Sequence, residues 1–218
     1  MNYLDGLLAS HCLNNEVVTY CLKVLKDFIG SGSFKHRVAP LISFERLKDI
    51  KKLYKKDLPK LKTITFLICD LISSQEKICS VHELNTGISI LLNILYKQKE
   101  NIVIGECIAS TLTNLINKLD RVPTEMETAN SLELIYEVLS TVMFETKPCC
   151  CLLELLHSIV SRQSAVKSYV CSNQNFLSLF KEMLNHHNIP STGCLLGHEK
   201  QISNIRVICQ ELIEFNPN

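Results

Sequence analysis

With 218 residues, 46% apolar content and a formal net charge of +1, the chain can bury a sizeable core and has no global field favouring nucleic acid or a membrane surface. Trp is absent and aromatics make up 6%, so Leu, Ile and Val must fill the core, which suits helix-on-helix packing better than a β-sandwich. The longest apolar stretch, 149–159, contains Glu154 and His157 and is far short of the ~20 residues that cross a bilayer.

The N-terminus, Met1-Asn2-Tyr3-Leu4-Asp5, lacks the basic region of a signal peptide. Eleven Cys residues is an odd count, and most lie inside apolar helical patterns. They read as reduced, core-filling thiols of a cytoplasmic or nuclear protein rather than as a disulfide framework.

Residues 1–12 form the first amphipathic pattern (Leu4, Leu7, Leu8, Cys12), and Asn15 caps a second helix to Phe28 that Gly30 stops. Gly30-Ser31-Gly32-Ser33 is a turn without the Gly-Lys-Ser/Thr of a phosphate loop. Ser43 caps a helix to about Lys56. Asp57 caps the next, which carries Pro59 in its first turn and runs to Ser73. Helices follow at 75–83, 86–98 and 102–118. Pro123 and Thr124 open another to about Phe144, with Thr124 and Glu127 at capping-box spacing. Pro148 starts a helix to Val160, and the remaining helices fall at 163–172, 175–187 and 199–215. Residues 188–198, with Pro190, Gly193 and Gly197, interrupt the pattern.

One apolar tetrad recurs with a step of 44: Ile88, Leu91, Leu92, Leu95; then Leu132, Ile135, Tyr136, Leu139; then Phe176, Leu179, Phe180, Met183. A second element keeps that step: Ile64, Ile68, Leu71; then Ile108, Leu112, Leu115; then Leu152, Leu156, Ile159. A helical repeat of this length predicts an α-solenoid. The whole chain, 1–218, then reads as one repeat domain: an N-terminal helical pair (1–30) and units near 31–73, 74–118, 119–161 and 162–215. Each unit ends on a long helix. After Ser73 and again after Ser161 a short helix comes first, with Gln75 matching Gln163, Ile78 matching Val166 and Val81 matching Tyr169.

This three-helix unit resembles the armadillo repeat, with the two-helix HEAT repeat as the alternative of similar period. The resemblance covers roughly residues 31–215 and is one of pattern rather than of a signature motif. It implies an all-α, right-handed solenoid of armadillo-like repeats whose third helices line a concave groove for a peptide or partner helix. The groove residues would be Lys62, Phe66 and Asp70, then Glu106, Ser110, Thr113, Asn114 and Asn117, then Glu154, His157 and Ser158. Only Asn114 stands near the family's Asn ladder, with Asp70 and Ser158 in the matching places. The lack of Trp argues against a nuclear-import receptor. The plainer reading of these residues is an ordinary polar face. A non-catalytic interaction scaffold in a multiprotein complex is the expected function, without cofactor.

Other chemistry has weaker footing. His82-Glu83 and His198-Glu199 lack the second His of a zincin, since Thr86 and Ile202 stand there. No nucleophile elbow or dinucleotide fingerprint occurs, so no catalytic residue is expected. Cys194 and His198, with His186 and His187 upstream, have one feature of a zinc site but no C-x₂-C partner; a polar loop is the plainer reading, and no metal is expected. Lys48, Lys51, Lys52, Lys55 and Lys56 form a basic patch within a stretch reaching Lys60 and Lys62. Lys48 and Lys51 replace Leu92 and Leu95 in the repeat register. A solvated outer helix near the end of the array explains this; an electropositive patch for an acidic partner or for nucleic acid is the alternative.

Overall fold

A computed structural model describes residues 3–30, 42–74, 81–119, 121–187 and 198–215. Among them every regular element is a helix: α1 (Tyr3–Ser10), α2 (Asn15–Gly30), α3 (Phe44–Leu53), α4 (Leu58–Ser74), α5 (Val81–Lys97), α6 (Ile102–Lys118), α7 (Thr124–Glu127), α8 (Ala129–Val142), α9 (Thr146–Val160), α10 (Ser164–Ser172), α11 (Gln174–His187) and α12 (Glu199–Glu214). The chain is all-α, as its periodicity predicts. Its contacts gather into two units, Met1–Ile94 and Leu95–Asn218, and the division falls inside α5 and therefore inside the expected 74–118 repeat.

The 44-residue step is visible in burial. Phe44, Ile88, Leu132 and Phe176 are all buried, and so are Leu47, Leu91, Ile135 and Leu179. In the longer helices the same holds for Ile64, Ile108 and Leu152, and for Ile68, Leu112 and Leu156. One face of each helix thus supplies the core, as a 3.6-residue period requires.

In the first unit, α2 packs on α4, α3 also packs on α4, and α1 touches both α2 and α3. The Ser43 hydroxyl accepts from the Arg46 N–H and caps α3, and Asp57 Oδ1 accepts from the Lys60 N–H and caps α4. Several boundaries differ from expectation: α1 ends at Ser10 rather than at 12, and α2 runs through to Gly30 instead of stopping at Phe28. The cap of α2 is Asn14 rather than Asn15: its Oδ1 accepts from the N–H groups of Glu16 and Val17, so Asn15 is already helical. The α3 helix stops at Leu53, short of Lys56, because the Tyr54 and Asp57 N–H groups close a turn onto Ile50 and Tyr54.

In the second unit α9 is central, with α6 packed on one flank, α12 on the other, and α8 and α10 also against it. The α11 helix packs on α12 and α10. Asn101 caps α6 through the Ile104 N–H, and the helix keeps the bounds its pattern gives. The expected single helix from Thr124 to Phe144 is broken. Thr128 is extended (φ −71°, ψ 145°), and its hydroxyl accepts from the Ser131 N–H, so a new helix begins at Ala129. No capping box forms: the Thr124 hydroxyl turns to Glu125 instead. The two helices expected at 75–83 and 86–98 also change. Residues 81–97 are one helix, Val81–Lys97, and 75–80 lie outside the described residues. The turn at 31–33 and the insertion at 188–197 lie outside them too.

Bonds between helices repeat the same interval. Residues 41–45 positions apart are joined at Ser110–Cys151, Leu119–Arg162, Asn117–Arg162 and Met143–His187 in the second unit. In the first, residues 42 apart are joined at Cys12–Tyr54 and at Lys51–Asn93.

Candidate functional site

The face of α6 and α9 that points off their apolar stripes carries eight of the expected groove residues. Four of them are engaged between helices. Glu106 on α6 pairs with Lys147 on α9 at 2.7 Å, and that bond raises the Lys147 pKa. The Ser110 hydroxyl lies 3.7 Å from Cys151 Sγ. Glu154 accepts from the Asn204 amide of α12 at 3.0 Å, and His157 Nε2 lies 2.9 Å from Glu211 Oε2. A fifth contributes only its backbone: the Asn117 carbonyl accepts from Arg162 at 3.2 Å, while its side chain stays exposed. The polar face is therefore a set of rungs joining α6 to α9 and α9 to α12. Asn114 is exposed beside the rungs, and Ser158 is half-buried. Thr113 Oγ1 is buried without a hydrogen-bond partner.

The remaining three, Lys62, Phe66 and Asp70, lie half-buried on α4 in the first unit. Lys26 Nζ of α2 stands 5.9 Å from the Phe66 ring centroid, a cation–π distance.

The N-terminal ends of α6, α9 and α12 border one cavity of about 570 Å³. Ile102 opens α6, Thr146, Lys147 and Pro148 form the first turn of α9, and His198 is the N-cap of α12; all line it. Phe144, 54% exposed, and His186 meet edge to face at its rim, with ring centroids 4.7 Å apart. His187 is committed elsewhere. Its Nε2–H donates to the Met143 carbonyl at 3.0 Å, and its own carbonyl accepts from Arg206. Burial holds its pKa below the usual imidazole range, against the opposing effect of the Met143 bond. His187 thus ties the end of α8 to α11 and α12. The sequence places it at the end of the 175–187 helix, upstream of Cys194 and His198, and its place 44 residues after Met143 is the signal that would have found this role.

The Cys194–His198 pair has no described geometry, because Cys194 lies outside the described residues. Among those residues, no group of three His, Cys, Asp or Glu side chains is placed to hold a metal ion. Burial pushes the thiols of Cys150 and Cys209 up to about 12 and that of Cys149 higher still. A nucleophilic Cys needs the opposite shift.

The basic patch is partly spent on its own helix. Lys48 pairs with Glu45 at 3.1 Å and Lys52 with Asp49 at 3.6 Å. Lys51 Nζ donates to Asn93 Oδ1 at 2.6 Å. Lys60 is 8% exposed, pairs with Asp57 and stands over the Tyr54 ring. Lys55 and Lys56 are exposed in the turn after α3.

Comparison with known protein families, with curated proteins and with solved structures finds no match for this chain. No helix among the described residues is long and apolar enough to cross a membrane.

Proposed function

We propose that the chain is an armadillo-like, right-handed α-solenoid and works as a non-catalytic scaffold. It holds an extended peptide or a partner helix against the polar face of its third helices, within a cytoplasmic or nuclear complex. The observation that carries this reading is the pairing of Glu106 with Lys147 and of Ser110 with Cys151, each 41 positions apart, across α6 and α9 on the polar face. Neighbouring long helices whose N-terminal ends border one cavity run side by side in one direction, the arrangement of successive solenoid units. A face pinned by Glu106–Lys147 and His157–Glu211 is preorganised, so little ordering entropy is lost when a partner binds.

The upward-shifted thiols favour a scaffold over a Cys-dependent enzyme. Partners recovered by affinity capture and identified by mass spectrometry supply the ligand for a direct test. Replacing Asn114 with Ala and His157 with Ala together should weaken partner binding while helicity and melting temperature hold. Unchanged binding by that variant removes the groove reading. Nucleic-acid binding through residues 48–62 is the second reading, favoured only by the exposure of Lys55 and Lys56. It requires an affinity that falls steeply with salt.

A further inference from the structure

We propose that the edge of the first unit where the α1–α2 turn meets the α3–α4 turn docks an acidic amphipathic segment of a protein partner. This site goes beyond the face of α6 and α9 and shares no residue with it. The Tyr54 hydroxyl donates to the Cys12 carbonyl at 3.0 Å and pins the two turns together. Leu13, next to Cys12, is 80% exposed; Leu53 and Leu58, which bracket the second turn, are 47% and 39% exposed. Three leucines held in water on two joined turns are not explained by the core of this unit, which already has Leu47, Ile50, Ile64 and Ile68.

Charge selects the occupant. Lys55 and Lys56 project from the same turn, and among the described residues no salt bridge takes up either one. The one carboxylate in that turn, Asp57, is committed to Lys60 and to the cap of α4. Glu16 in the first turn of α2 is the acidic group on the other side of the edge. A phosphate backbone would satisfy the lysines but offers nothing to three aliphatic side chains, which do not stack on bases. A helix with Leu, Ile or Phe on one face and Asp or Glu beside it satisfies both.

The test is display selection of random peptides of about 15 residues on the immobilised full chain. Binding of the selected peptides is then measured to the wild type, L13S/L53S, K55E/K56E and Asn114→Ala. The proposal expects sequences that combine apolar residues at helical spacing with Asp or Glu. It expects each double variant to weaken them by about tenfold or more, the scale of a lost interface anchor. Added salt should weaken binding to the wild type more than to K55E/K56E. Asn114→Ala should bind them unchanged, which separates this site from the groove reading. Should L13S/L53S lose its melting transition, the lysine variant and the salt response decide alone. Selection of no peptide, selection of peptides without acidic residues, or binding indifferent to both double variants overturns the proposal. So does an edge that ignores peptides yet retains phosphatidylserine vesicles or a DNA duplex through the same lysines.

Discussion

In α9 nine of fifteen residues are buried, among them Cys149, Leu152, Leu153 and Leu156, whereas in α3 only Phe44, Leu47 and Ile50 of ten are. Both helices keep the 44-residue register of the chain. The difference lies in how far their neighbours cover them: α9 has α6 and α12 on its flanks and α8 and α10 against it, while α3 packs on α4 and α1 and meets α5 at Phe44 and Lys51. A helix with four neighbours needs a wide apolar face and confines its polar groups to a strip, here Glu154, His157 and Ser158, whereas a helix with less cover can spend more of its surface on charge. The run of Lys48, Lys51 and Lys52 on α3 is therefore a statement about packing before it is one about ligands.

The comparison breaks most easily at α9. Leu156 is fully buried in the second unit. Replacing it with Ala should cost about 2–5 kcal/mol, the usual range for truncation in a core that cannot collapse. Leu53→Ala on α3, at a site 47% exposed, should cost within about 0.5 kcal/mol. Urea midpoints read both. Similar losses at the two sites would mean that α3 is covered as α9 is.

Burial in the first unit is tight where it occurs. A Cβ built on Gly87 of α5 would stand 3.1 Å and 3.2 Å from the Phe44 ring and 3.3 Å from Ile72 Cδ1. Gly87→Val should therefore destabilise by about 1–3 kcal/mol through overpacking. At Gly105 of α6 the nearest group to such a Cβ is Leu95 Cδ1, 4.0 Å away. Gly105→Ala should be neutral or stabilising, since Ala is the better helix former. Thermal melts should show a lower midpoint for Gly87→Val and an equal or higher one for Gly105→Ala.

Thiol chemistry sharpens the contrast from the α9 side. Burial raises the pKa of Cys150 and Cys209 to about 12, from an ordinary value of 9.0. A raised folded-state value means stability is fully present below pH 9 and is lost as pH rises from 9 toward 12, because only the unfolded chain ionises there. Melting temperature should fall over that window, and less so in a Cys150→Ala, Cys209→Ala variant. At pH 8, iodoacetamide should leave Cys149, Cys150 and Cys209 unmodified until denaturant is added. Rapid native-state labelling would mean that the α9 layer opens readily.

Much of the helix map was legible because its signals are local. Ser43 before Phe44 and Asp57 before Pro59 each mark a start, and the apolar step of 44 fixes which residues face inward. The failures have local causes as well. Thr128 could continue a helix or cap one, and the Ser131 N–H and the Glu125 carbonyl, which accepts from the Ser131 hydroxyl, decide for the cap. Asn14 and Asn15 are chemically identical caps, one residue apart. The polar face was legible only as a direction. That Glu106, Ser110, Glu154 and His157 would be used between helices depends on partners 41 to 54 positions away, and side-chain spacing within one helix carries no trace of them.

The smallest expected effect isolates the cause of the α3 charge. Lys51 occupies the register position that Leu95, Leu139 and Met183 fill, and all three of those are buried. Lys51 is half-buried, and its ammonium is held by Asn93, an exposed residue of α5. Lys51→Leu gives up that bond, but Asn93 can turn to water, and the four-carbon stem already covers the surface that leucine would cover. The substitution should shift the urea midpoint by no more than about 0.5 kcal/mol in free energy. A gain of more than about 1 kcal/mol would show an apolar socket at position 51 that the repeat prefers to fill, with lysine kept there for a partner rather than for solvation. A loss of that size would show that the Lys51–Asn93 bond carries the α3–α5 contact, because an exposed bond of this kind should contribute little.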